Sequence, residues 1–146
     1  MSIDTHDEIC RELCARTGAV VMSVGYRLAP EHPYPAGPDD CITATKWLIE
    51  NAGKYKGIGE RIAVAGDSAG GYMAAYTAQK LSAEGIRLKA QFLAYPVTDH
   101  YSAHHAAGVP VVYKNYANVQ GFLGAGEMGQ EAMDTACGFL RERLKG

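Results

Sequence analysis

Ile62-Ala63-Val64-Ala65-Gly66-Asp67-Ser68-Ala69-Gly70-Gly71 reads as a short apolar strand running into a glycine-rich turn, and residues 70–84 read as the helix that leaves it, ended by Gly85. Within this stretch Gly66-Asp67-Ser68-Ala69-Gly70 satisfies G-x-S-x-G, with a buried strand before it and a helix after it, the setting that gives the pattern its meaning. A serine held at such a turn sits in strained backbone geometry with its hydroxyl raised above the sheet. Its neighbours must be small for strand and helix to come together. Gly66, Ala69, Gly70 and Gly71 meet that demand, and the Ala69 N–H lies at a helix N-terminus, where it can stabilise an oxyanion. The same kind of turn can also hold a phosphate on its N–H groups, with Ser68 as a phosphate or cap contact. No Lys follows these glycines as in a P-loop, nor do they have the G-x-G-x-x-G spacing of a dinucleotide fold, so the phosphate reading of this turn has no motif of its own.

Outward from this turn, strands and helices alternate. Asp4 or Thr5 can cap a first helix with Asp7 and Glu8 in its first turn and Gly18 at its end. Residues 19–24, Ala-Val-Val-Met-Ser-Val, form a nearly continuous apolar run, the pattern of a strand covered on both faces. Residues 26–38 hold four of the six prolines and read as a loop, followed by a helix from near Asp39 to Gly53. A strand is expected over residues 88–95, irregular chain over 96–107, a last strand over 109–113 and a helix over 129–144 with Met133, Ala136, Leu140 and Leu144 inward. The alternation argues for a parallel α/β sheet.

The 146 residues fit one domain, residues 1–146. A hydrophobic fraction of 47% and a net charge of -2 offer no basic surface for nucleic acid or acidic lipid, so a small neutral partner is expected, with no nucleic acid and no membrane. Cys10, Cys14, Cys41 and Cys137 show no C-x-x-C spacing; Cys10 and Cys14 share a helix face with Ile9 and Leu13 and read as buried thiols. Neither a metal nor a cofactor is implied. The polar start Met1-Ser2-Ile3-Asp4 lacks an apolar leader and no run reaches the roughly 20 apolar residues of a membrane span, which makes a cytoplasmic location the expectation.

Two motifs then converge. Tyr26-Arg27-Leu28-Ala29-Pro30-Glu31-His32-Pro33-Tyr34-Pro35-Ala36 followed by Asp39-Asp40, and after it Gly66-Asp67-Ser68-Ala69-Gly70-Gly71, resemble the hormone-sensitive-lipase-like branch of the α/β-hydrolases, carboxylesterases that cleave short acyl esters. The match runs over residues 4–99 and resumes near Ala107, through Gly108-Val109-Pro110-Val111 and Gly121-Phe122-Leu123. The resemblance implies a three-layer sandwich with a mostly parallel sheet, here a partial α/β-hydrolase fold. It also implies Ser68 as nucleophile, Ala69 as oxyanion donor, Gly66, Asp67, Gly70 and Gly71 as the elbow around them, and a structural role for His32.

Such chemistry needs an imidazole and a carboxylate to hold it. In the family the histidine directly precedes the Gly-Phe pair, where this chain has Gln120; no counterpart of the acid falls between Pro96 and Val109, and the glycine-rich oxyanion loop is absent. Asp99, His100, His104 and His105 follow Ser68 in acid-then-base order and are candidate substitutes, against the plainer reading as solvated loop residues. In the family's sheet, one strand lies between those matching residues 19–24 and 62–65. Its absence predicts direct pairing of the two, a strand accepted from elsewhere, dimerisation through unpaired strands, or marginal stability, because unpaired buried backbone groups cost about 1–3 kcal/mol each. Gly25 also replaces the family's usual Asp. The expectation is a carboxylic-ester hydrolase of impaired activity acting on a small-molecule ester. The alternative is a non-catalytic, hydrolase-derived fragment that self-associates or binds a small ligand.

Overall fold

The computed structural model describes residues 3–97 and 126–145. A short 3-10 helix (Ile3–His6) leads into α1 (Asp7–Thr17), which ends where Gly18 turns left-handed at φ +72 and donates its N–H to the Cys14 carbonyl at 2.9 Å. Helix α2 (Ala36–Asn51) is extended by a 3-10 turn (Ala52–Tyr55). Strand β1 (Ala63–Asp67), helix α3 (Ala69–Ala83) and strand β2 (Ala90–Ala94) form a β-α-β unit whose strands pair in parallel, Ala63 opposite Ala90 and Asp67 opposite Ala94. Helix α4 spans Gly126–Leu144.

The sheet is the middle of three layers. On one side, Val64 packs with Ile62, Ala78, Leu81 and Leu88 beneath α3, and Ile42, Leu48 and Ile49 of α2 close that core from behind. On the other, Ala90, Ala63 and Phe92 meet Phe139 and Leu140 of α4, while Ile9 and Leu13 of α1 pack on Met133 and Cys137. Arg16 joins α1 to α4 twice, through its guanidinium to Asp134 and through its carbonyl, which accepts from Arg141. The proline-rich loop is fixed at its base by Asp40, whose carboxylate accepts from the Arg27 backbone N–H at 2.9 Å and from its guanidinium at 2.7 to 3.1 Å. That pairing holds the Asp40 carboxyl down at about 2.

Several expectations need correction. Residues 19–24 are not a strand: they carry no regular structure and their backbone pairs with neither β1 nor any other described strand. They run beside β1 across an open cavity of about 570 Å³ lined by Val20, Val24, Ala63 and Ala65. An open gap of this kind is costly only where its backbone groups are buried. Here Val20 is 49% exposed and Ala65, mid-strand, is exposed, so water reaches the gap and the unsatisfied-group cost is largely avoided. Helix α2 begins three residues earlier than Asp39, since a proline at position 38 fits the first turn, where its missing N–H has no intrahelical partner to lose. Helix α1 begins at Asp7 with no side-chain cap, because Asp4 and Thr5 sit in the 3-10 turn. Cys14 is exposed rather than buried, Cys10 is partly covered, and all four thiols are free. The strand expected over residues 109–113 lies outside the described residues.

Gln91 of β2 is 2% exposed with neither side-chain amide atom hydrogen-bonded, an arrangement that costs more than an apolar side chain of the same shape would. Leu81 is fully buried at the centre of the α3 core. Urea unfolding is therefore expected to show Leu81→Ala losing about 2–5 kcal/mol, whereas Gln91→Met gains about 1–3 kcal/mol; a destabilised Gln91→Met would mean that the amide has a partner in the folded chain.

Candidate active site

The strand-to-helix turn is built by lack of room. A Cβ on Gly66 would collide with the Gly70 carbonyl and one on Gly71 would come within 2.8 Å of Pro96, so strand, helix and the segment after β2 approach as closely as backbones can. Ser68 between them is held at φ +50 and ψ -117, a conformation costly for any residue but glycine. Its backbone is fastened on both sides. The N–H donates to the Ala94 carbonyl at 2.9 Å, and its carbonyl accepts from Tyr72 and Val97, both at 3.2 Å. Gly66, Asp67, Ser68, Ala69, Gly70 and Gly71 are thus brought together as expected, with Ser68 half-buried at the end of β1. Ala69 is the first residue of α3, so its N–H points out of the helix start with no intrahelical acceptor.

Asp67 faces a separate network. One carboxylate oxygen lies 3.0 Å from His6 Nε2, and the other accepts from the Tyr95 hydroxyl at 3.2 Å. The second ring nitrogen of His6 is 2.9 Å from the Thr5 hydroxyl, so the imidazole is engaged at both ends. Burial first, then the Asp67 charge and the hydrogen bond to it, push the Tyr95 hydroxyl up to about 12. His6 and Tyr95 were not among the sequence candidates; 61 residues separate His6 from Asp67, and no local spacing connects them.

Ser68 Oγ makes no hydrogen bond to any described side chain, and no described imidazole reaches it: His6 is turned to Asp67, and His32 is exposed in the proline-rich loop. Asp99, His100, His104, His105 and Gln120 lie outside the described residues. Among the described residues no cluster of three or more His, Cys, Asp or Glu is arranged to hold a metal, and no helix is long and apolar enough to cross a membrane.

The chain is similar to known proteins. The family model described as alpha/beta hydrolase fold matches residues 1–122. The chain is 52% identical over 97 residues to carboxylesterase NlhH of Mycobacterium tuberculosis, an alignment covering 66% of this chain and 30% of that protein. It is 42% identical over 100 residues to ethyl acetate hydrolase of Pseudomonas putida, covering 67% and 31%. Among solved structures, the hyperthermophilic esterase from the archaeon Pyrobaculum calidifontis superposes with a TM-score of 0.65 at 49% identity, covering 66% of this chain and 31% of that one. The chain therefore spans about a third of the length of these relatives.

Because the Tyr95 hydroxyl is held above its ordinary value near 10, folding favours its neutral form; the contribution to stability is complete below about pH 10 and is lost as the pH rises through about 12. Urea unfolding of the unmodified chain and Tyr95→Phe should accordingly differ by a constant amount up to about pH 10 and converge toward pH 12. A difference unchanged across that window would mean that Tyr95 does not titrate with the fold.

Proposed function

Since the chain belongs to the alpha/beta hydrolase fold family, we propose that it is a carboxylic-ester hydrolase with Ser68 as nucleophile, working on small esters at a much reduced rate. The observation that carries the reading is the Ser68 turn itself: a serine at φ +50 on the start of a helix, with the Ala69 N–H directed out of the helix beside it. Ser68 Oγ attacks the ester carbonyl and gives up its proton, the carbonyl oxygen takes the negative charge against the Ala69 N–H and the positive end of α3, and the acyl C–O bond then breaks, the departing oxygen taking up that proton and leaving as the alcohol. Water then cleaves the acyl-serine and returns the acid.

The reduced rate follows from the surroundings of the hydroxyl. With no described imidazole within reach of its hydroxyl, Ser68 lacks the activation that such a base gives, and sites without it retain at most about 10³–10⁴-fold over water from binding and the oxyanion hole together. Both ring nitrogens of His6 are occupied by Asp67 and Thr5, which supports assigning it to holding the turn rather than to proton transfer. Asp99, His100, His104 and His105 remain the substitute acid and base in this reading. The second reading, a hydrolase-derived chain that binds without catalysis, draws support from the lack of any described side chain hydrogen-bonded to the Ser68 hydroxyl.

Incubation with p-nitrophenyl acetate and with a fluorophosphonate probe is expected to give slow hydrolysis and covalent labelling in the unmodified chain and neither above background in Ser68→Ala. Equal hydrolysis and labelling in the two proteins would remove Ser68 from the chemistry. Absence of both in the unmodified chain would favour the binding reading.

A further inference from the structure

Asp67 stands immediately before Ser68, and its carboxylate lies over the first turn of α3: one oxygen is 4.0 Å from the point where a Cβ on Gly70 would stand. An aspartate in this place has a local alternative, since Asp side chains accept the backbone N–H two residues on and negative charge is favoured at a helix start. Two residues beyond Asp67 is Ala69, the first residue of α3, whose N–H the oxyanion of ester attack needs. A carboxylate that took this N–H would fill the place of the oxyanion with charge of the same sign.

In the folded chain the carboxylate is engaged elsewhere. Oδ1 is 3.0 Å from His6 Nε2 and Oδ2 accepts from the Tyr95 hydroxyl at 3.2 Å, with the Asp67 side chain only 14% exposed between them. A carboxylate has acceptors alone, so Nε2 carries a proton; in the neutral ring Nδ1 then accepts from the Thr5 hydroxyl at 2.9 Å, which fixes the orientation of the imidazole. Tyr95 lies between Ala94, whose carbonyl accepts the Ser68 N–H, and Val97, whose N–H donates to the Ser68 carbonyl. The carboxylate is therefore held from the same segment that holds the Ser68 backbone, and from the 3-10 turn before α1 as well.

We infer that His6 and Tyr95 are positioning residues: by holding the Asp67 carboxylate between them they keep it off the start of α3 and leave the Ala69 N–H for the oxyanion. Both act through Asp67 alone, since neither is bonded to the Ser68 hydroxyl. On the reading of Ser68 as nucleophile, on which this role rests, the clamp explains how an acid can stand next to a residue whose reaction builds negative charge. Two donors from distant parts of the chain share the charge of that acid and fix its direction.

The test compares the unmodified chain with His6→Ala, with His6→Gln and with His6→Ala combined with Asp67→Ala, by amide hydrogen exchange and by the rate of fluorophosphonate labelling. In His6→Ala the released carboxylate is expected to slow exchange at the Ala69 amide about tenfold, the opposite of what a loosened turn would give, and to slow labelling about tenfold by taking a donor from the phosphoryl oxygen. Adding Asp67→Ala should return both rates to within about threefold of the unmodified chain, and His6→Gln, which keeps a donor where Nε2 stands, should leave both there. Tyr95→Phe deletes one hydroxyl and keeps the ring; it should move both rates in the same direction by about threefold, and it decides the matter if His6→Ala does not fold. Exchange at Ala69 that is unchanged or faster in these variants, or losses that Asp67→Ala does not reverse, would overturn the clamp in favour of a purely structural contact. Equal labelling of the unmodified chain and Ser68→Ala would tell against the nucleophile instead, while exchange at Ala69 still decides where the carboxylate goes.

Discussion

No room exists for a side-chain carbon at Gly66, and the geometry of the central layer depends on that vacancy. With the Gly70 carbonyl lying where a Cβ would stand, β1 can turn directly into α3, and the sharpness of the turn forces Ser68 to positive φ. The strain is compensated by neighbours: Ala94 receives the Ser68 N–H, and Val97 and Tyr72 donate to its carbonyl, so the turn is tied to both the strand beyond it and the helix it begins. Gly71 against Pro96 repeats the same demand one turn later. The two core clusters on either side of the sheet then follow from a β-α-β unit already set by backbone contact.

What was legible in the sequence was whatever is decided locally. Gly18 and Gly85 end their helices at φ +72 and +81, as their positions after apolar periodic segments predict, and the G-x-S-x-G turn carries its geometry in its own composition. Residues 19–24 were misread because an apolar run specifies a preference for burial, while a strand exists only when a partner supplies hydrogen bonds. The early start of α2 was hidden by Pro38, which punctuates a loop and the first turn of a helix equally well. Gln91 gave no warning either, since one polar residue in an apolar strand usually points to solvent, and here it is enclosed beneath α3.

The candidate site divides in the same way. Ser68, Ala69 and the glycines were readable because they are contiguous. The supports around Asp67 were not, because His6 comes from the 3-10 turn before α1 and Tyr95 from just beyond β2, and only the folded sheet brings them to one carboxylate. Position and reactivity are thereby separated at this turn. Strand, helix and glycines place a hydroxyl, whereas activating it requires groups that sequence proximity does not supply.

The double link of Arg16 to α4 bears on the order in which the molecule can form during synthesis. Asp134 is 118 residues and Arg141 125 residues beyond Arg16, so the layer made by α1 and α4 cannot assemble until nearly all of the sequence described here has left the ribosome. The β-α-β unit and α2, whose contacts are shorter in sequence, are complete much earlier. Throughout that interval Ile9 and Leu13 of α1 lack Met133 and Cys137, and one face of the nascent sheet stands uncovered, a window in which a chaperone that recognises apolar helices would find its substrate.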